Sequence, residues 1–121
     1  MLAVALLPVM GLACGGGGTE ATGPPDERIE IVASSFAYEP FQVTVAPGTV
    51  RFVIQNAADV VHGFEVEGHG MEVEIEEIQP GATDSLTVTL EEPGTYEIYC
   101  PVADHEQRGM TGTLTVEGGG S

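Results

Sequence analysis

Three residues with metal-binding side chains lie at equal spacing near the end of the sequence. Cys100, His105 and Met110 have four residues in each gap, within the segment YCPVADHEQRGMTGTLTV. A loop of this length between two strands can fold back, so that a thiolate, an imidazole and a thioether converge. A second imidazole, that of His62, begins the earlier segment HGFEV after a turn near Asp59. Two His, one Cys and a weak axial Met form the ligand set of blue-copper electron-transfer sites.

This set of donor atoms suits a metal that gains and loses one electron. Thiolate and thioether sulfur favour Cu(I), whereas imidazole binds both Cu(I) and Cu(II). A trigonal site with a weak axial ligand lies between the preferred geometries of the two ions, so little has to move when an electron arrives. We therefore predict that His62, Cys100, His105 and Met110 bind one copper ion. Each of them alone could be an ordinary core or loop residue, but the matched spacing favours the metal site.

The rest of the chain must position these residues, and it consists of short β segments between turn signals. The predicted strands are Arg28–Ser35, Phe41–Ala46, Thr49–Gln55, His62–Glu67, Met71–Ile78, Ser85–Leu90, Thr95–Cys100 and Thr111–Glu117. Eight strands at this spacing predict an all-β protein, either a sandwich or a small barrel. Glu72, Glu74 and Glu76 alternate with apolar residues, which is typical of a solvated sheet face and not of a calcium loop.

The segment Gly94–Val116 also carries a family resemblance. Pro93-Gly94-Thr95-Tyr96 precedes the Cys, the pattern Cys–x4–His–x4–Met follows, and Gly–x–Leu–x–Val closes the segment. Together with a His at the start of an earlier strand, these motifs resemble the cupredoxins, blue type 1 copper proteins such as plastocyanin, azurin, rusticyanin and the auracyanins. The resemblance extends over most of residues 28–117. It implies an eight-stranded Greek-key β-sandwich and points to an exported bacterial or archaeal member.

The resemblance implies a role for each matching residue. His62 and His105 correspond to equatorial nitrogen ligands, Cys100 to the thiolate ligand and Met110 to the axial thioether. In the family, the His on the Cys loop lies near an apolar surface and is the usual electron exit, which here is His105. One position departs from the family, because Gly63 follows the first His where many members have an Asn. We expect a looser site with a shifted potential, since such outer hydrogen bonds tune the metal.

Three further residues near these motifs are expected to have ordinary roles. His69 and Met71, in the sequence GHGM, are predicted to be loop residues, with lining of the metal-side surface as the less favoured alternative. Tyr96 is predicted to be a packing residue whose hydroxyl secures a corner between strands.

The predicted function is one-electron transfer by a protein that is not an enzyme. A copper oxidase or nitrite reductase domain would need more His, commonly one beside the Cys, and the chain has three His. The binuclear copper centre of respiratory oxidases would need a second Cys in the loop. An immunoglobulin-like module would need a second core Cys and a buried Trp, and the sequence has no Trp. An extracytoplasmic protein that binds or delivers copper without carrying electrons uses similar ligands and stays open as the alternative.

The charge balance restricts the partners. The chain has three Arg, no Lys and nineteen acidic residues, for a formal net charge of −16. Such a chain does not bind nucleic acid through counterion release, because it has almost no cations to offer phosphates. It repels anionic membrane surfaces and attracts basic partners. We expect a monomer that docks a redox partner through that partner's basic surface.

The N-terminal residues indicate export. The first thirteen residues are almost wholly apolar but too short for a membrane-spanning helix, which needs about 20 residues. Cys14 and four following Gly resemble a bacterial lipoprotein signal, although Gly11 stands where that pattern has Leu; the alternative is an ordinary cleaved signal. We predict a signal over 1–14 with lipidation at Cys14, a flexible linker over 15–27, a cupredoxin domain over 28–117 and a flexible tail over 118–121. The expected location is the periplasmic or extracellular face of the cell membrane, with Cys14 as the anchor.

Overall fold

The computed structural model describes residues 25–118, which form β-strands joined by turns and loops. The strands are Glu27–Ser34 (β1), Ala37–Glu39 (β2), Gln42–Val45 (β3), Gly48–Asn56 (β4), His62–Gly68 (β5), Met71–Ile78 (β6), Thr83–Leu90 (β7), Gly94–Tyr99 (β8) and Thr111–Val116 (β9). The predicted signal, Cys14, most of the linker and the last three residues lie outside the described part. Among the described residues there is no helix with the length and apolar character needed to cross a membrane.

Two sheets pack face to face. The four-stranded sheet has the order β2-β1-β4-β7, and the five-stranded sheet has the order β3-β9-β8-β5-β6. β1 pairs in parallel with β4, and β3 in parallel with β9, whereas the other neighbours are antiparallel. Parallel neighbours need crossover connections, because a hairpin can only join antiparallel strands. The crossovers give the Greek-key sandwich that the sequence predicts, and the all-β fold class is confirmed.

The core follows from the alternation of side chains along each strand. In β4, Val50, Phe52 and Ile54 point inward and are buried, as their spacing of two predicts. They meet inward side chains of the other sheet, and the rings of Phe52 and Phe64 pack at a centroid distance of 5.3 Å. Burial of apolar surface between the two sheets is the main source of stability of such a fold.

The described part contains one strand more than the eight predicted. β2 is three residues long and pairs antiparallel with β1, with Ala33 opposite Tyr38. Three residues are too few to show a clear alternation, so the sequence did not predict β2 as a strand. The strand matters because it brings the fully buried ring of Tyr38 into the core.

The order of the five-stranded sheet places the predicted ligands at one end of the sandwich. β5 begins at His62 and runs antiparallel to β8, which ends at Tyr99, directly before Cys100. β9 begins at Thr111, opposite Tyr99, so Met110 lies at the same end. Two distant segments of the chain therefore meet at this end.

Candidate metal centre

Three donor atoms converge at the end of the sandwich where β5 begins. The Nδ1 atoms of His62 and His105 lie 3.1 Å apart, and Cys100 Sγ lies 3.5 Å from His105 Nδ1. All three donor atoms lie within 4.8 Å of one another. His62 is 0% exposed, Cys100 1% and His105 8%, so the cluster is shielded from bulk water. The convergence of these three side chains agrees with the sequence prediction.

Backbone hydrogen bonds fix the loop that carries two of these donors. The Cys100 N–H donates to the Met110 carbonyl over 3.2 Å, and the Met110 N–H donates to the His105 carbonyl over 3.1 Å. The loop therefore closes on itself where β8 ends and β9 begins. Met110 is fully buried next to Cys100 and His105. This position agrees with the predicted axial ligand, while coordination by its thioether stays a prediction.

A buried amide fixes the connection that brings His62 to the centre. Asn56, at the end of β4, donates from Nδ2 to the carbonyls of Val60 and Ile78 over 2.9 and 2.8 Å. Its Oδ1 accepts a hydrogen bond from the Ala58 N–H over 2.9 Å. These bonds define the path of the chain between β4 and β5. The sequence analysis did not identify Asn56, although a polar residue at the end of an otherwise apolar inward row was a usable signal.

Gly63 is closely packed, which differs from the looser site expected from the sequence. Its N–H donates to Cys100 Sγ over 3.3 Å, and its carbonyl accepts a hydrogen bond from the buried Tyr38 hydroxyl. A Cβ at this position would lie 2.7 Å from the carbonyl oxygens of both Ile75 and Glu76, so only glycine fits. The backbone N–H thus supplies the thiolate with a hydrogen bond. The backbone around Gly63 is therefore tightly packed, while the expected shift of the reduction potential stays a prediction.

The surroundings of His62 favour its neutral form. Burial lowers the pKa of His62, and the electrostatic influence of neighbouring His105 lowers it further. A metal ligand must be the unprotonated imidazole, so this environment prepares His62 for a metal. Its Nε2 atom is buried and has no hydrogen-bond partner within residues 25–118, while Nδ1 faces the other donors. The side chain is oriented toward the centre.

An aromatic residue missed by the sequence analysis covers the two imidazoles. The Phe36 ring lies 4.8 Å from that of His105 and 6.1 Å from that of His62. The Arg108 guanidinium also lies over the Phe36 ring, 5.0 Å from the ring centroid. Phe36 lies in the turn between β1 and β2, where no sequence motif marks it.

His69 lies far from the metal end. It occupies the turn between β5 and β6, where its ring packs 4.5 Å from Tyr96 and its Nδ1 lies 3.6 Å from a Glu92 carboxylate oxygen. This agrees with the predicted loop position, and the metal-side alternative is wrong because β5 spans the sheet between His62 and His69.

The Tyr96 hydroxyl donates to the Glu92 carbonyl over 2.7 Å, which confirms its predicted role at a strand corner. Met71 begins β6 and packs against the core, so it is a strand residue and not a loop residue.

The fold and the donor atoms together define a β-sandwich with a site for one copper ion. Two imidazole nitrogens and a thiolate sulfur that face one another in a buried space fit copper, since this combination selects it over oxygen-seeking metals. A family model for a cupredoxin-like domain matches residues 4–116. The chain belongs to the cupredoxin family.

Proteins of similar sequence include an oxidase subunit and a plastocyanin. The chain is 32% identical over 97 residues to cytochrome c oxidase subunit 2 of Thermus thermophilus, covering 79% of this chain and 70% of that protein. It is 35% identical over 92 residues to the chloroplastic plastocyanin minor isoform of Arabidopsis thaliana, covering 69% of this chain and 52% of that protein. The matched region thus spans 70% of the length of the first relative and about half of the length of the second.

Solved structures with the same fold include two auracyanins. Auracyanin B superposes with a TM-score of 0.75 at 20% identity, covering 84% of this chain and 97% of that one. Auracyanin A of Chloroflexus aurantiacus, described as a "blue" copper protein, gives a TM-score of 0.66 at 23% identity, covering 74% and 98%. At these identities the likeness establishes the fold.

Proposed function

We propose that this chain is a one-electron carrier whose copper ion is held by His62, Cys100 and His105, with Met110 as the axial ligand. The observation that carries the proposal is the convergence of two imidazole Nδ1 atoms and one thiol within 4.8 Å in a buried space. Bound copper supplies a centre that alternates between Cu(I) and Cu(II). A carrier needs a site that holds both ions with little movement, and this ligand set is suited to it.

The residues of the chain act by holding the donors still and excluding water. Cys100 is fixed through its N–H to Met110 and through its sulfur to the Gly63 N–H. His62 and Cys100 are essentially inaccessible, whereas His105 is slightly exposed and half-exposed Pro101 and Val102 precede it on the loop. We propose that electrons enter and leave through the His105 edge.

The same burial argues against copper delivery as the main role. A delivery protein passes its ion to another set of ligands, and the receiving ligands must reach the metal. In this chain the thiol and both imidazoles are at least about nine-tenths buried. We propose retention of copper through many redox cycles. The test is repeated reduction and oxidation in the presence of a Cu(I) chelator; steady loss of copper to the chelator would favour delivery.

We also propose that the chain is not an enzyme. Its third imidazole, His69, lies at the opposite end of β5 from the copper site, so it is unavailable for a second copper beside the first. The sequence holds one Cys in the ligand loop, whereas the binuclear centre described for respiratory oxidases needs two.

The visible spectrum of the copper-loaded, oxidised chain is the main test. We expect an intense blue or green colour from thiolate-to-copper charge transfer. Cys100→Ser should abolish the colour, and Cys14→Ser, which removes the only other cysteine, should leave it unchanged. A colourless Cu(II) adduct of the unaltered chain would rule out the carrier.

We propose that the chain is exported, lipid-modified at Cys14 and monomeric, and that it docks a basic redox partner. The apolar segment before Cys14 and the net charge of −16 support this proposal. Fractionation of cells tests the anchor: the unaltered chain should be found with membranes and Cys14→Ser should be released. Equal release of both would contradict lipidation.

A further inference from the structure

A dense group of carboxylates lies on the outer face of the five-stranded sheet. Glu65 and Glu67 of β5 are register partners of Glu74 and Glu72 of β6. Glu67 is also opposite Glu97 of β8. Like charges directly opposite each other on neighbouring strands destabilise a sheet. A positive charge held among these side chains would remove that repulsion.

Glu65 differs from the other members because it is buried. It is 3% exposed, and its Oε2 atom has no hydrogen-bond partner among the residues that the structure describes. A buried carboxylate oxygen without a partner is costly. The solvated face predicted from the alternation of Glu72, Glu74 and Glu76 is correct for those three residues, but the neighbouring strand adds a carboxylate that is not solvated.

The chain has no cation of its own to offer this group. It contains three Arg and no Lys. Arg28 pairs with Glu30 at 3.2 Å, and Arg108 pairs with Asp104 at 3.0 Å. Arg51 lies on β4, in the other sheet. Apart from a proton on Glu65, a compensating charge must therefore come from outside the chain.

We propose that Glu65, Glu67 and Glu72 form a binding site for a divalent cation, with calcium as the preferred ion. One carboxylate oxygen from each residue lies within 4.8 Å of the others. Calcium binds oxygen ligands at about 2.3–2.6 Å, so two ligands on opposite sides of it are separated by up to about 5 Å. Magnesium, with ligands at about 2.0–2.1 Å and strict octahedral geometry, requires a tighter arrangement.

The burial of Glu65 favours a metal ion over the side chain of a basic partner. A lysine on a partner protein reaches the exposed Glu67 and Glu72 from solvent. The Oε2 atom of Glu65 is buried beneath that surface, so a ligand that pairs with it must be small, such as an ion that has shed water. This site is separate from the copper ligands, which occupy the end of the sandwich.

Cation binding at this site is coupled to the release of a proton. Burial raises the pKa of Glu65 to about 8, and the carboxyls of Glu72 and Glu74 contribute to the rise. The titratable side chains facing Glu65 are Glu67 on its own strand, Glu72 and Glu74 on β6, and Glu97 and Tyr99 on β8. Near neutral pH the cation therefore displaces a proton, and affinity should increase as the pH rises to about 8.

The test is calorimetric titration of the copper-loaded full chain with calcium chloride and, separately, magnesium chloride at constant ionic strength. We expect one calcium per chain, weaker magnesium binding and release of a proton. Glu65→Gln should weaken calcium binding by at least about tenfold, the smallest loss typical when a metal site is disrupted. Glu27→Gln, which removes one exposed charge from the other sheet, should bind as the unaltered chain does.

Glu72→Gln provides a second variant at an exposed position, should Glu65→Gln fail to fold. It too should weaken calcium binding, with the blue absorption unchanged. Absence of calcium binding by the unaltered chain would overturn the proposal. Equal weakening by Glu27→Gln would also overturn it, because that result indicates a diffuse ion atmosphere. Binding of polylysine without binding of calcium would identify the face as a protein-docking surface instead.

Discussion

The Nδ1 atoms of His62 and His105 face each other across 3.1 Å, although 43 positions separate the two residues in the sequence. Their rings are inclined by 68°. Only one hydrogen can lie between two such nitrogens, and protonation of both would place two positive charges in a buried space. A metal ion that both nitrogens bind replaces this unfavourable pairing, which is why the arrangement suits a copper site.

Replacement of the proposed axial ligand should change the potential without removing the metal. Met110→Leu keeps the buried volume nearly constant, so the fold should lose less than about 1.5 kcal/mol. We expect copper to remain bound and the reduction potential, measured by voltammetry, to rise because a weak electron-donating ligand is lost. Met71→Leu at the far end of the sandwich is the control. An unchanged potential in Met110→Leu would show that the thioether is not a ligand.

A methyl group at Gly63 should disturb the fold and the thiolate together. Gly63→Ala places a Cβ within 2.7 Å of two backbone carbonyl oxygens and 3.0 Å of Pro101 Cδ. Overpacking of this kind costs about 1–3 kcal/mol, measurable by denaturant unfolding. The charge-transfer band should shift as the hydrogen bond to Cys100 Sγ lengthens. Gly118→Ala, where a Cβ meets nothing within 4 Å, should change neither quantity.

The buried Tyr38 hydroxyl should stabilise the metal end specifically. Tyr38→Phe removes the bond to the Gly63 carbonyl, at a cost of about 1 kcal/mol, or up to about 3 kcal/mol if the carbonyl stays unpaired. We expect a lower unfolding free energy and an altered copper spectrum. The matched variant is Tyr96→Phe, which removes a similar bond to a backbone carbonyl at the opposite end. It should lower stability without changing the spectrum; identical spectra for both variants would contradict a link between Tyr38 and the thiolate.

The carboxyl of Glu65 should make stability depend on pH. Its pKa is about 8 in the folded chain, against an ordinary value of 4.5, so the folded state holds a proton that the unfolded state has lost. This contribution is complete below about pH 4.5 and is lost as the pH rises through about 8. Without divalent cations, the melting temperature of the unaltered chain should fall over this range more steeply than that of Glu65→Gln. Parallel profiles would show that Glu65 titrates normally.

Most strands could be predicted from the sequence, because the alternation of side chains and the residues of the turns are local signals. β6 was predicted with the bounds Met71–Ile78 that it has, since apolar residues alternate with Glu as far as Glu76 and turns bound it. β2 was missed because three residues carry no periodicity. The described strands extend over 27–116, and the domain bounds of 28–117 stay a prediction.

The candidate site was predictable where spacing alone determines geometry. Cys100 and His105 share one loop, so their proximity follows from its length. Asn56 and Phe36 lie on segments distant from the ligand motifs, and only the packing of the two sheets brings them there. The burial of Glu65 likewise could not be predicted from the sequence, because it depends on which strands flank β5.

The first strand begins and the last strand ends at the same end of the sandwich. β1 enters the sheet at Glu27, opposite Val50, and β9 leaves it at Val116, opposite Gly94, both at the end remote from His62. With a rise of roughly 3.3 Å per residue, the eight residues of β1 place about 25 Å between that end and the copper ligands. The described domain is therefore entered and left by the chain at the end opposite the His105 edge, so the first and last strands leave that edge uncovered.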